Sequence, residues 1–370
     1  SFSHVLGIMV EFPYEDIDDP LTTGRGTFLE EDTSQYSLDT TLLCSEFKVD
    51  LPPHNQFYFK NQILAIRNYY NSVTNGSVDF SYSVIDSVYT VSLHMRDYAT
   101  NDEMLAIFFN ESIELAKDDI IETGLNLNDV LLVVFHAGMG QDFSVPFIDP
   151  TSHDLKSAYV DDEMLEGIES SRLTTTRGII NRGIILPETQ NMLYYDVVQD
   201  IFPSTDDLCD IQVGLTGTFA LLMGYGLRLS PLFNTETGMA GVGVFGLMDH
   251  GSNNGRGVIP APPTAWTRIR QGWATETIIT KSDTLLITSR NQRGQIYRVD
   301  ISSKEYFLIE NRNNWIFENA DIDSLRRKEE HKVSDDQIGH WFDTVLSELS
   351  DNQLDTTGGV FTNFENYDYG

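Results

Sequence analysis

Cysteine is nearly absent from this chain, with two residues, Cys44 and Cys209, in 370. Two thiols so far apart form neither a disulfide framework nor a Cys-x-x-Cys redox or zinc motif. One long-range disulfide and two free buried thiols both remain open. Basic residues are also scarce, 24 against 56 acids, which gives a formal charge of −32 and a pI near 4.3. A surface of that sign repels phosphate backbones and anionic membranes, and this argues against nucleic acid as a partner. It suits divalent cations, basic partners or plain solubility. Long apolar runs are missing too. The longest uncharged run, 211–227, is too short for a membrane span and is broken by Gly214, Gly217, Gly224 and Gly226, so a buried helix is expected there. No signal peptide opens the chain, which reads as a mature form.

Several catalytic signatures are absent as well. There is no Gly-x-Ser-x-Gly elbow, no Walker A loop and no Gly-x-Gly-x-x-Gly placed after a strand. The eight histidines stand at 4, 54, 94, 136, 153, 250, 331 and 340, and none are four apart. That excludes a zinc site built on a helical His-x-x-x-His.

What is present describes a folded chain, 41% hydrophobic and 11% aromatic. "HVLGIMVEF" (4–12) reads as a buried strand and "VLLVVFHAG" (130–138) as the clearest one. "NQILAIRNYYNSV" (61–73) and "EMLAIFFNESIELAKDDII" (103–121) carry helical spacing, and "TNG" (74–76) stops the first. "SVDFSYSVID" (77–86) alternates like a strand. After Trp273 come the short strand candidates "TLLITS", "IYRVDI" and "EYFLIE", and residues 313–358 are charged and loop-rich.

Four stretches, in order, carry a family resemblance: "PPHNQFYFKNQILAIRNYYNSVTNGSVDFSYSVI", "DVLLVVFHAGMGQD", "TGMAGVGVFGLMDHGSNNGRGVIPAPPTAWTRIRQGW" and "EYFLIENR". From about His4 to Arg312 the chain resembles the secreted metallopeptidases of the immune-inhibitor-A family. The resemblance implies an α+β chain. A zincin/metzincin-like metallopeptidase domain would span 1–272, and an incomplete β-rich portion would span 273–370, because in the family another core strand follows "NFENYDYG".

Members of the family carry His-Glu-x-x-His-x-x-Gly-x-x-Asp on a central helix, with a methionine turn beneath the zinc. Two histidines at i and i+4 share a helix face, and the glutamate activates the bound water. Counting back from "SPLFNTETG", the motif falls on Leu221-Leu222-Met223-Gly224-Tyr225, with Arg228 at the turn glycine and Pro231 at the acidic ligand. Leu221 and Tyr225 stand for the histidines and Leu222 for the base, while Met248 fits the methionine turn. All five functional positions have lost their chemistry, so no zinc is expected. Leu221, Leu222 and Tyr225 are expected to pack where metal and water would sit.

The resemblance therefore implies a secreted or surface-displayed pseudopeptidase, extracellular, serving as a binding, structural or assembly module with a protein partner or with itself. One alternative is an active hydrolase with an unrecognised ligand set, such as His136, His153 or His250 with an acid. Another is a subunit of an extracellular filament or surface layer. The family binds calcium, and the acid clusters could supply a structural site at Asp16, Asp18, Asp19, Asp206 or Asp207, although none has EF-hand spacing. Glycine-rich "GMAGVGVFG" (238–246) could cradle a phosphate, or simply turn the chain.

Overall fold

The computed structural model describes residues 2–30, 49–143, 151–168, 173–191, 213–289, 295–312, 315–317, 320–321, 360–365 and 367–368. Cys44, Cys209, Asp206, Asp207 and nearly all of the charged stretch 313–358 lie outside them. The chain has a mixed α and β architecture, and by packing it falls into two compact units. One takes Ser1–Leu64, Phe80–Leu215 and Thr356–Val360, and the other Ala65–Asp79, Thr216–Asp355 and Phe361–Gly370.

The first unit is built on a five-stranded sheet of order β2-β1-β3-β7-β4, comprising β1 (His4–Glu11), β2 (Ser81–Thr90), β3 (Val130–Met139), β4 (Ala158–Val160) and β7 (Gly183–Thr189). All pairs are parallel except β4 with β7. Strands β5 (Leu173–Thr175) and β6 (Gly178–Ile180) form a separate hairpin.

Two helices cover opposite faces of the sheet. Helix α1 (Gln56–Val73) starts in this unit, capped by Asn55, whose side-chain oxygen accepts from Phe57 and Tyr58 N–H at 3.0 and 3.2 Å. A one-turn helix α2 (Met95–Tyr98) precedes α3 (Asp102–Glu122), and Asn101 caps α3. Phe59 of α1 stacks on Phe135, while Phe108 of α3 meets His136 edge-on. Successive strand residues point to opposite faces, so β3 is covered on both sides. Every one of its residues is accordingly buried, as its unbroken apolar run led one to expect.

In the second unit the end of α1 is fixed by Asn75 and Gly76, both left-handed (φ 53° and 78°), with Gly76 N–H donating to Asn71 O at 2.7 Å. Helix α4 (Leu215–Gly226) begins at the last residue of the first unit and otherwise belongs here, as does the short α5 (Ala265–Arg270). Tyr69 and Tyr367 donate to Ala261 O and Pro260 O, each at 2.6 Å, and both pack on Phe364. A three-stranded sheet orders β10 (Tyr306–Ile309), β9 (Ile296–Asp300) and β8 (Glu276–Ile278), and β11 (Trp315–Phe317) pairs with β12 (Ala320–Asp321).

Two expectations need correction. "TLLITS" forms no strand; its one pairing is an isolated bridge between Ser289 and Asn311, and Leu286 stays 84% exposed. The strand expected at 77–86 starts instead at Ser81. The turn after α1 runs on to Val78, whose N–H donates to Thr74 Oγ1 at 2.9 Å. No helix among the described residues is long and apolar enough to cross a membrane.

Candidate functional site

Helix α4 is apolar all round, and ten of its twelve residues are buried. The two half-buried residues are Leu221 and Tyr225. Their spacing of four puts them on one face, so the open face of α4 is the face on which the family motif would hold its two histidines. Leu222, at the base position, is buried, as expected. Leu221 and Tyr225 correct the expectation of a filled site, because both keep part of their surface open. Burial pushes the Tyr225 phenol up from its ordinary pKa, so it is a neutral hydroxyl.

The chain reverses just after α4. Leu227, Arg228 and Leu229 N–H close it by donating to Met223, Tyr225 and Gly224 carbonyls at 2.9, 2.8 and 2.9 Å. Arg228 takes φ +63°, a left-handed backbone that costs an ordinary L-residue about 1–2 kcal/mol. This is the position where the family motif has its turn glycine. Pro231 is exposed.

Met248 is fully buried beneath the helix. A Cβ on Gly224 would lie 2.5 Å from its Sδ and 3.2 Å from the Tyr70 hydroxyl, so only glycine admits this approach. Tyr70 in turn donates to Ala220 O at 2.7 Å. After the turn, Leu232 N–H donates to Met248 O at 2.8 Å.

The next residue, Asp249, is buried and collects four backbone donors. Gly241, Val242 and Gly243 N–H reach Oδ2 at 2.8, 2.7 and 2.8 Å, and His250 N–H reaches Oδ1 at 2.8 Å. Burial alone would push this carboxyl up. The amides of Gly243, His250, Gly241 and Val242 outweigh it and hold the pKa below the ordinary aspartate range. The nest of amides that could have cradled a phosphate is thus filled by the chain's own carboxylate.

The residues of the alternative ligand set sit in unlike places. His136 is buried between Phe12 and Phe108, with Nδ1 on Ala137 O at 2.9 Å and Nε2 without a hydrogen-bond partner, and burial drops its pKa to about 4. His153 is half-buried in a loop, where its N–H donates to Leu21 O. His250 is exposed, 3.2 Å from Gly238 O. Of the calcium candidates, Asp19 has its carboxylate taken up by Arg96 at 2.7 Å and Leu21 N–H at 3.0 Å, while Asp16 and Asp18 are exposed. Among the described residues no group of three or more His, Cys, Asp or Glu is arranged to hold a metal. The positions the motif would use offer one phenol and no imidazole, thiolate or carboxylate, so they do not fit zinc.

A polar cluster in the first unit has no counterpart in the sequence reading. In open sheets, ligands bind where strand order reverses, at the carboxyl ends. Here β1 lies between β2 and β3, and the carboxyl ends carry Glu11, Met139 and Glu188. That place is occupied from within. Glu188 accepts from Gly138 N–H at 2.6 Å, Leu29 N–H at 3.0 Å and His54 Nδ1 at 2.7 Å. Close by, fully buried Asp50 accepts from Gln62 at 2.7 Å and from Leu215 N–H at 2.8 Å, and Asp50 O meets His54 Nε2 at 2.9 Å. Nothing of this showed in the sequence, because its polar side chains come from positions as far apart as 50 and 188 and each reads alone as an ordinary polar residue.

No family model matches the chain, and no curated protein matches it.

Proposed function

We propose that the chain is a metzincin-like scaffold of the immune-inhibitor-A type that has lost its metal site, displayed outside the cell as a binding, structural or assembly module. One observation carries the reading. The half-open face of α4 bears Leu221 and Tyr225 at the i, i+4 spacing of a ligand pair, and two features that such a pair would need lie beside it. These are the left-handed turn at Arg228 and the methionine lodged under Gly224. A left-handed residue ends many helices, so what supports the reading is its coincidence with the Met248 approach to Gly224 on the same helix.

The test has two arms. After chelator stripping and incubation with excess zinc, metal analysis by mass spectrometry finds no zinc retained by the wild-type chain, and cleavage of denatured casein is absent with or without chelator. On this reading the variant Leu221→His/Tyr225→His/Pro231→Asp holds one zinc, since it restores three ligands at the positions of the motif. Zinc in the wild type would overturn the loss of the site, and no zinc in the folded variant would overturn the scaffold.

A further inference from the structure

We propose that the loop Gly238–Gly246 of the second unit is an interfacial element that seats in an uncharged lipid surface. The inference does not depend on how α4 is read. Four large apolar side chains leave this loop for solvent, with Met239 66%, Val242 37%, Val244 51% and Phe245 65% exposed. From Thr237 to Met248 the sequence carries no charge, in a chain whose net charge is −32.

Exposed loops ordinarily give their backbone groups to water, but this one gives them to protein. Three successive amides, Gly241 to Gly243, point inward onto Asp249. The Met239 carbonyl accepts from Asn234 N–H at 2.9 Å, and Ala240 bridges to Phe233. The Val244 and Phe245 carbonyls accept from the Asn254 amide and the Arg312 guanidinium, each at 2.9 Å, and the Gly246 carbonyl from Asp249 N–H at 3.1 Å. Gly241 lets the loop close this tightly, since a Cβ there would sit 2.1 Å from Leu232 O. The result is a turn whose named amides and carbonyls are bonded within the protein while its apolar side chains face outward. A segment must meet that condition to enter a medium without water, where an unsatisfied amide or carbonyl is expensive.

Charge selects the occupant. A second copy brings another −32, and an anionic bilayer repels the chain in the same way. A basic protein would be drawn to the acidic surface rather than to this uncharged loop. Four apolar side chains exposed together are matched by a yielding apolar medium, which a zwitterionic bilayer interface provides.

The full chain is floated on a density gradient with vesicles of phosphatidylcholine alone. Wild type floats with the lipid. Met239→Ser/Phe245→Ser lowers the floated fraction on the order of tenfold, because both side chains start exposed and lose their transfer gain. Replacing about a fifth of the lipid by phosphatidylserine weakens flotation at low salt. Should the double variant melt earlier than wild type, Phe245→Trp gives the answer instead, through quenching by brominated lipid beyond that of the native tryptophans. Absent flotation, flotation that the double substitution leaves intact, or equal quenching would overturn the proposal. A lipid-free dimer that the double substitution dissolves would assign the loop to a second copy and also overturn it.

Discussion

At the scale of single residues, the turn after α4 is where chemistry and conformation disagree. Arg228 is exposed, yet its backbone is left-handed, the region in which a Cβ crowds the following carbonyl. Arg228→Gly relieves that crowding and gives back part of the gain through the greater freedom of glycine in the unfolded chain. The expected net is a stabilisation of about 0.5–1 kcal/mol, read as a higher urea midpoint at unchanged slope. A lower midpoint would mean that the guanidinium contributes more than its backbone costs. Asp249 shows the opposite arrangement. There a buried group has collected four amides, three of them from the loop before it.

At the scale of elements, the start of α4 is tied to the loop before α1 by Asp50. Burial pushes its carboxyl up to about 6, and the Leu215 amide, Gln62 and the His54 charge offset this only in part. A folded-state pKa above the unfolded value near 3.9 means that the folded chain keeps a proton the unfolded chain releases. The contribution of Asp50 is therefore fully present below about pH 4. It is lost as pH rises through about 6, a loss of about 2–3 kcal/mol. Asp50→Asn removes that slope. Asparagine also suits the left-handed backbone at this position (φ 53°), and the Gln62 side-chain oxygen, which has no hydrogen-bond partner, can turn to accept from the new amide. Unfolding free energies from urea should show the variant above wild type by about 1–2 kcal/mol at pH 7 and level with it or below at pH 4. An equal deficit at both pH values would mean that the two hydrogen bonds of the carboxylate outweigh its burial.

The same element shows what the sequence could disclose. Strands β1 and β3 and helices α1 and α3 were legible because burial on one or both faces writes itself into apolar runs and 3.6-residue spacing. Helix α4 was legible as a helix and, through the spacing of Leu221 and Tyr225, as a face. The Asp50–His54–Glu188 cluster was not, since hydrogen bonds between distant polar residues leave no period. The strand expected at "TLLITS" failed for a related reason. Among the described residues its pairing stops at the Ser289–Asn311 bridge, and pairing is a property of the sheet rather than of the segment.

At the scale of the whole molecule, charge dominates. With 24 basic residues against 56 acids, the chain carries 32 negative charges that no positive side-chain charge balances. Ion pairs such as Arg67 with Asp79 and Lys156 with Asp102 join partly exposed groups and contribute little, whereas Arg268 is buried against Glu310. Self-repulsion of this kind destabilises the compact state and is screened over about 10 Å at 0.1 M salt. Raising sodium chloride from low to moderate concentration should therefore raise the thermal midpoint, by several degrees on the order of what 2–4 kcal/mol yields in a chain this long. Calcium separates a specific site from general screening. At matched ionic strength, screening alone predicts the same midpoint in calcium as in sodium chloride. A calcium site among the acids would add a further rise that saturates with concentration, as binding to the folded state alone requires. A midpoint insensitive to both salts would mean that the surplus acids lie too far apart to repel, and that the acidity of this chain serves solubility alone.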